Sequence, residues 1–474
     1  MAHLVSTVCC LGLSLVLKDK VSFPGSLAYS ASLGSYFSLQ ETSVQPRCIV
    51  SPQTVHDVST AVRVLVTSGC QFAIRSGGHT SFAGAANIQG GVTIDLTALN
   101  SIVLGQGEPP VVSVGTGTTW GDVYSHLDTF HLSANGARAG GVGIGGMTIG
   151  GGISYYGPRF GWTCDTVTNF EVVLADGSIV NANNHENADL LWALRGGSNN
   201  FGIVTRVDLQ TFEQGDLWGG FVIRPISTAD DQILALAAFN DPVSYDKNAS
   251  LITTFGYSGS QNISVTVNNM EYTKPVEDPE VFRSLLSLPV LSSTQRIANV
   301  TNLVAETQAR NANGARRATA TVTIESTVEA INATVQAWNA SLPSVRDIPG
   351  IVWSIVMDPI PPVLYARFAE NNALGLGNRH GKPLVIVELV MTWANAEDDK
   401  TVDEGVKALV ASIEDRVGKL GALDPFIYIN YAAPWQKPIA SYGTTSVDRL
   451  LKVQRKYDPH RVFTNMVPGG FKLR

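Results

Sequence analysis

The chain of 474 residues carries 44% hydrophobic and 15% charged residues and a net charge of −7. This length exceeds one ordinary domain and predicts two, and the composition excludes a disordered chain. The acidic balance argues against nucleic acid or an anionic membrane as the main partner, and no apolar run is long enough for a transmembrane segment.

Residues 5–17 form an apolar run with the length of a signal-peptide core. No Lys or Arg precedes it and no clear small-residue cleavage site follows it, so a short packed helix is the preferred reading. Five cysteines, Cys9, Cys10, Cys48, Cys70 and Cys164, leave at least one unpaired, and none has metal-ligand spacing. Sequons at Asn248, Asn262, Asn299, Asn332 and Asn339 permit secretion without requiring it.

An α/β pattern begins near residue 44. Residues 48–52 read as a short strand ending at Pro52. Val55, Val58, Ala61, Val62, Leu65 and Val66 then recur at helical spacing, with Thr54 as N-cap and Gly69 as the stop. A strand at 72–74 delivers Arg75-Ser76-Gly77-Gly78-His79-Thr80. Paired glycines reach backbone conformations closed to other residues. Successive amides in such a turn make a concave anion site, here suited to a pyrophosphate. The blander reading is a tight turn with a solvated arginine and a surface histidine. Strands follow at 91–96 and 111–115, then a helix at 119–127 capped by Thr119.

Eight of the thirteen residues 140–152 are glycine. A core element is not expected to tolerate that, whereas a wall against a flat ligand benefits from close backbone approach. Val142, Ile144, Met147 and Ile149 are interleaved as if half buried, unlike a flexible linker. Gly141, Gly143 and Gly146 spell a G-x-G-x-x-G. With no buried strand before it and no helix expected after it, a nicotinamide-dinucleotide fold is rejected.

Asp176-Gly177 marks a hairpin across 170–180. A helix is expected at 188–194 and a strand at 201–209. Beyond about residue 213, strands at 218–223, 251–257, 263–267, 352–356 and 384–392 alternate with helices at 229–239, 280–286, 324–338 and 404–420, which reads as a second domain. A strand at 426–431 and a helix at 447–457 close the pattern. Glu388 reads as a paired strand residue, Arg379-His380 as a solvated loop, and Cys164 as a free structural thiol.

Six motifs occur in one order: residues 48–52, residues 75–79, the glycine-rich 140–152, Leu194-Arg195-Gly196-Gly197-Ser198-Asn199-Asn200-Phe201-Gly202-Ile203-Val204, Tyr428-Ile429-Asn430-Tyr431, and Lys456-Tyr457-Asp458-Pro459. Together they resemble the oxygen-dependent FAD-linked oxidoreductases of the vanillyl-alcohol oxidase (p-cresol methylhydroxylase, PCMH) superfamily, berberine-bridge-enzyme-like branch, in the style of fungal secondary-metabolite members. The resemblance implies an α+β fold: a two-lobed PCMH-type FAD-binding domain plus an α/β substrate domain with an antiparallel sheet flanked by helices. It divides the chain into an N-terminal segment (1–41), an FAD-binding domain (42–213), a substrate domain (214–425) and a C-terminal segment returning to the FAD domain (426–474).

Residue by residue, the resemblance implies that His79 bonds covalently to the flavin 8α-methyl and that Arg75, Ser76, Gly77, Gly78 and Thr80 form the pyrophosphate turn. Gly140, Gly141, Val142, Gly145 and Thr148 would line the flavin, and Gly202, Ile203 and Val204 would lie beside the adenosine. Asn430 would contact the ring and Tyr431 would face the substrate, with Tyr431 as the catalytic base unless the substrate needs none. Doubly attached relatives carry a second cysteine where residues 136–140 have none, so a single covalent link is expected. The stretch 372–379, matched to the glutamate base of the berberine bridge enzyme, lacks a glutamate. A Cys10–Cys70 disulfide is implied. The expected activity is that of an oxidase acting on an alcohol- or amine-type C–H of a small substrate, with O2 as acceptor and H2O2 as product. A carbohydrate or alcohol oxidase of the same family, and a non-redox cyclase or binding protein, stand as alternatives.

Overall fold

The computed structural model describes residues 2–379 and 381–474, with side chains from residue 6 onward. Among these residues the strands gather into three sheets of four, six and nine strands, and no helix is long and apolar enough to cross a membrane. The fold is α+β, as expected.

The first sheet carries the parallel strands Cys48–Val50, Val92–Asp95 and Phe72–Arg75. Thr54 caps helix Val55–Thr67 and Asp57 returns the bond. That helix buries Val58, Ala61, Val62 and Leu65 against Phe72 and Ile94. The N-terminal run is helix Ala2–Leu17, which packs Cys9, Cys10, Leu13 and Leu17 into the same core. Its cysteines form Cys9–Cys70 and Cys10–Cys48 disulfides, which corrects the expected Cys10–Cys70 pairing. Successive positions on a helix diverge by about 100°, so two adjacent buried cysteines reach two different partners. Cys164 is free and buried.

The second sheet is antiparallel and runs Ile102–Gly107, Pro110–Gly115, Ile203–Glu213, Val167–Val173, Ile179–Asn183. The Asp176-Gly177 turn joins the last two as read from sequence, with Gly177 at φ +81°. The glycine-rich stretch differs from expectation. It contains a short helix, Ile144–Ile149, whose Ile144, Thr148 and Ile149 are buried. The residues with side chains fill the core while the glycines let the helix backbone press on its neighbours.

The third sheet is antiparallel, with Ile263–Tyr272, Ala249–Ser258, Val352–Ile360, Leu384–Trp393 and Arg316–Glu325 as successive neighbours. Strand Arg316–Glu325 was misread in part as helix. Its Arg317, Thr319, Thr321 and Thr323 alternate with Ala318, Ala320 and Val322 at period two, and the helix starts only at Val328, capped by Thr327. Alternation divides the sheet's faces. Phe255, Met357, Val387, Leu389 and Val322 enter the core under helices Ala229–Phe239, Val328–Ser341 and Asp399–Lys419. From the pairing register, Asp358, Glu388, Thr321, Thr319 and Arg317 share the other face.

Residues 426–431 are not a strand. The Phe426 N–H donates to Asp424 Oδ1 (2.8 Å) and the Ile427 N–H to Ser441 Oγ (2.9 Å), so side chains take the bonds a ladder would use.

Candidate functional site

The turn after strand Phe72–Arg75 and the glycine-rich helix meet directly. A Cβ on Gly77 would sit 2.6 Å from both Gly143 N and Cα, and Gly78 takes φ +66°. Only glycine permits this approach. Ser76 Oγ accepts from the Gly145 N–H (3.1 Å) and donates to the Thr116 carbonyl (2.5 Å). Thr116 Oγ1 in turn donates to the Val204 carbonyl (2.8 Å), which links the turn to strand Ile203–Glu213. Thr116 was not singled out from sequence, because nothing in its local pattern marks a residue joining three segments.

Arg75 does not face solvent. Its side chain is 2% exposed, paired with Asp95 (3.3 Å), donating to the Ser32 carbonyl (2.6 Å) and Ser35 Oγ (2.6 Å), and stacked on Tyr36. The guanidinium therefore braces the turn. His79 lies face to face with Phe37 at 3.7 Å, and the Arg317 guanidinium covers Phe37 at 4.0 Å. The imidazole's Nε2 is sealed from solvent without a hydrogen-bond partner. Burial, aided by the Arg317 charge, pushes the ring's pKa down to about 4, so it stands neutral with a lone pair available.

Behind the glycine helix, the Gly140 N–H donates to the Val304 carbonyl (3.0 Å) and the Gly141 N–H to Gln308 Oε1 (3.0 Å). Both acceptors stand on helix Val300–Arg310, which the sequence reading missed. Val142 packs against the adjoining core. The hydroxyls of Thr118, Thr148 and Thr163 are buried around this stretch without partners. Asn430 donates to the Met147 carbonyl (3.0 Å) and to Tyr428 Oη (3.0 Å), and its Oδ1 occupies the place a Gly150 Cβ would take. Gly202 packs on Val172 and Val173, with Ile203 and Val204 paired to the same strand. Thr80 is half-buried beside His79.

Tyr431 belongs to a polar cluster facing the third sheet. Its Oη accepts from Arg138 Nη2 (2.6 Å), and Arg138 also forms a two-point ion pair with Asp358 (2.7 and 3.1 Å), a residue 1% exposed. Burial holds the Tyr431 phenol well above its usual pKa despite the opposing Arg138 charge. Glu388 sits diagonally from Asp358 on the neighbouring strand. Contrary to the expectation of a paired strand residue, its carboxyl has no hydrogen-bond or ion-pair partner among the described residues. Burial, with the Asp358 charge adding and Arg138 opposing, pushes it up to about 8. Alternation along the strand 384–392 was the available signal for its orientation. Arg379 pairs with Asp424 (2.7 Å) instead of lying in a solvated loop, and His380 lies outside the described residues.

These surfaces fit a flavin dinucleotide: a glycine cradle, unpartnered buried hydroxyls, and a neutral imidazole with an unbonded nitrogen. The family described as "FAD binding domain" matches residues 46–183, and "Berberine and berberine like" matches residues 427–467. The chain is 36% identical to "FAD-dependent monooxygenase CTB5" of Cercospora beticola over 99% of its own length and 92% of the relative's. It is 42% identical to "Oligopeptidase PhomG'" of Diaporthe leptostromiformis over 96% of its length, but spans only 36% of that longer protein. In fold it is similar to the glucooligosaccharide oxidase of Acremonium strictum, with a TM-score of 0.79, 21% identity and 99% of each chain covered; that protein carries a 6-S-cysteinyl, 8α-N1-histidyl FAD. The class is thereby defined as an FAD-linked oxidoreductase. Within it, the chain belongs to the berberine-bridge-enzyme-like family, whose relatives named above are fungal proteins.

Proposed function

We propose that this protein is an oxidase that removes hydride from the C–H beside a hydroxyl or amine of a small secondary-metabolite substrate, with O2 taking up the electrons as H2O2. The FAD would be held between the turn and the glycine helix, tethered once, through His79. When bound, the flavin supplies the two-electron acceptor. We assign the flavin to residues 42–213 with the returning C-terminal segment, and the substrate to the polar face of the sheet in 214–425.

The observation that carries this reading is the Arg138, Asp358, Tyr431 and Glu388 cluster beside the glycine helix. Because Tyr431 Oη already accepts from Arg138, its own proton is free to be directed at a substrate oxygen or nitrogen. Glu388, unpaired and weakly acidic, is the better base, which moves that role from Tyr431 to Glu388. Arg138 and Asp358 fix the tyrosine's position, and Tyr428, edge-on to Tyr431 at 4.8 Å, holds its ring.

The test is oxygen consumption and peroxide release by the purified yellow protein against a panel of phenolic, allylic and sugar alcohols. One H2O2 per alcohol oxidised is expected. Substrate turnover without peroxide would overturn the oxidase reading.

A further inference from the structure

The chain ends on a segment that the mechanism leaves without a task. Residues 468–473 pack against residues 82–85, which follow the His79 turn, and against Asn199 and Asn200. Gly469 lies so close to the Gly84 and Ala85 carbonyls that a Cβ would stand 2.5 and 2.4 Å from them. The Phe471 ring meets Phe82 edge-on at 6.0 Å. Asn199 donates to the Gly469 carbonyl (3.3 Å), Asn200 donates to the Phe471 carbonyl (3.0 Å), and the Leu473 N–H donates to Asn200 Oδ1 (3.1 Å). Next to these asparagines, the Gly196 and Ser198 N–H groups both donate to the Ile149 carbonyl at the end of the glycine helix (3.1 Å each). The tail therefore joins the residues that follow the His79 turn to Asn199 and Asn200, in a loop that is itself bonded to the end of the glycine helix.

Lys472 stands in that seam. Its ammonium donates to Asn199 Oδ1 (3.0 Å) and to the Asn199 carbonyl (3.4 Å), both neutral acceptors. Among the described residues no carboxylate lies within ion-pair distance. Asp458, the acid whose charge it feels, spends its two oxygens on the Val462 and Phe463 N–H groups (2.8 Å each). Burial pushes the ammonium down to about 7. Lys472 is half-buried, and a partly desolvated cation without a counter-charge gains from a nearby anion. The charge of the turn's own arginine, Arg75, is already matched by Asp95, and its terminal nitrogens are spent on Asp95, Ser32 and Ser35, so only its buried Nε lacks a partner. Arg317 is separated from His79 by the Phe37 ring.

We propose that Lys472 binds the diphosphate of the dinucleotide, supplying from the C-terminal tail the positive charge that the Arg75–Thr80 turn does not present. This rests on FAD occupying the site as read above. Backbone amides of the turn orient the phosphate oxygens, and the lysine neutralises them.

The test uses His79→Ala protein, in which binding is reversible, titrated with FAD and with riboflavin, which lacks phosphate. Adding Lys472→Met is expected to weaken FAD about 10- to 100-fold, to leave riboflavin affinity unchanged, and to reduce the salt dependence of FAD binding. Lys472→Arg is expected to recover most of the FAD affinity. Equal losses for FAD and riboflavin, or no loss for FAD, would overturn the assignment. A His79→Ala parent that binds neither ligand would instead refute the flavin reading beneath it.

Discussion

Glu388→Gln is expected to lower kcat by about two to four orders of magnitude, the usual contribution of a positioned general base, and to abolish the alkaline rise in activity. The sign follows from the carboxyl's environment. Burial raises its pKa to about 8, with the Asp358 carboxylate pushing the same way and Arg138 only partly opposing. Below that value the group is protonated and accepts nothing; above it the carboxylate is the active form. In the native enzyme kcat/KM should therefore climb with pH through about 8 and then level off. In Glu388→Gln, which keeps shape and neutral hydrogen bonding, the residual activity should be flat across that window. A Glu388→Gln profile that still rises through the same pH would return the role of base to another group.

The second large effect concerns the ion pair behind Tyr431. Arg138→Met leaves Asp358, 1% exposed, with a charge and no partner. Removing one member of a buried pair costs about 3–5 kcal/mol, which thermal unfolding of the flavin-loaded protein should register as a clear fall in Tm. Arg138→Met combined with Asp358→Leu removes both charges and should recover most of that stability. It should not recover turnover, because Tyr431 loses the guanidinium that positions its hydroxyl. If the double variant regains activity along with stability, Arg138 acts only as scaffolding.

Much of the scaffold was legible because it obeys local rules. Thr54 with Asp57, the apolar run at 72–74, the strand pattern at 91–96, and Asp176-Gly177 each encode their element within a few residues. The errors arose where distant contacts decide. Residues 426–431 look like a strand, but their backbone bonds go to Asp424 and Ser441 and their side chains reach the glycine helix. The glycine-rich stretch hides a helix because its stability comes from packing against Ser76, Gly77 and helix Val300–Arg310. Cys9 and Cys10 are neighbours with different partners, which spacing alone does not order. Glu388 was misjudged because buried glutamates are usually paired, and only the sheet register reveals that it shares a face with Asp358. His79 and the glycine turn stood out for the opposite reason: their chemistry is concentrated in six consecutive residues.

The most direct test of the account is where the flavin goes when the protein is denatured in acid and cleaved with trypsin. Cleavage at Arg75 and Arg138 isolates the peptide 76–138, which contains His79. The account predicts that this peptide alone carries the mass of one FAD, that the pellet stays yellow, and that His79→Ala sends all the colour into the supernatant. Free FAD in the supernatant of the unmodified protein, or a flavin that joins two peptides, would contradict it.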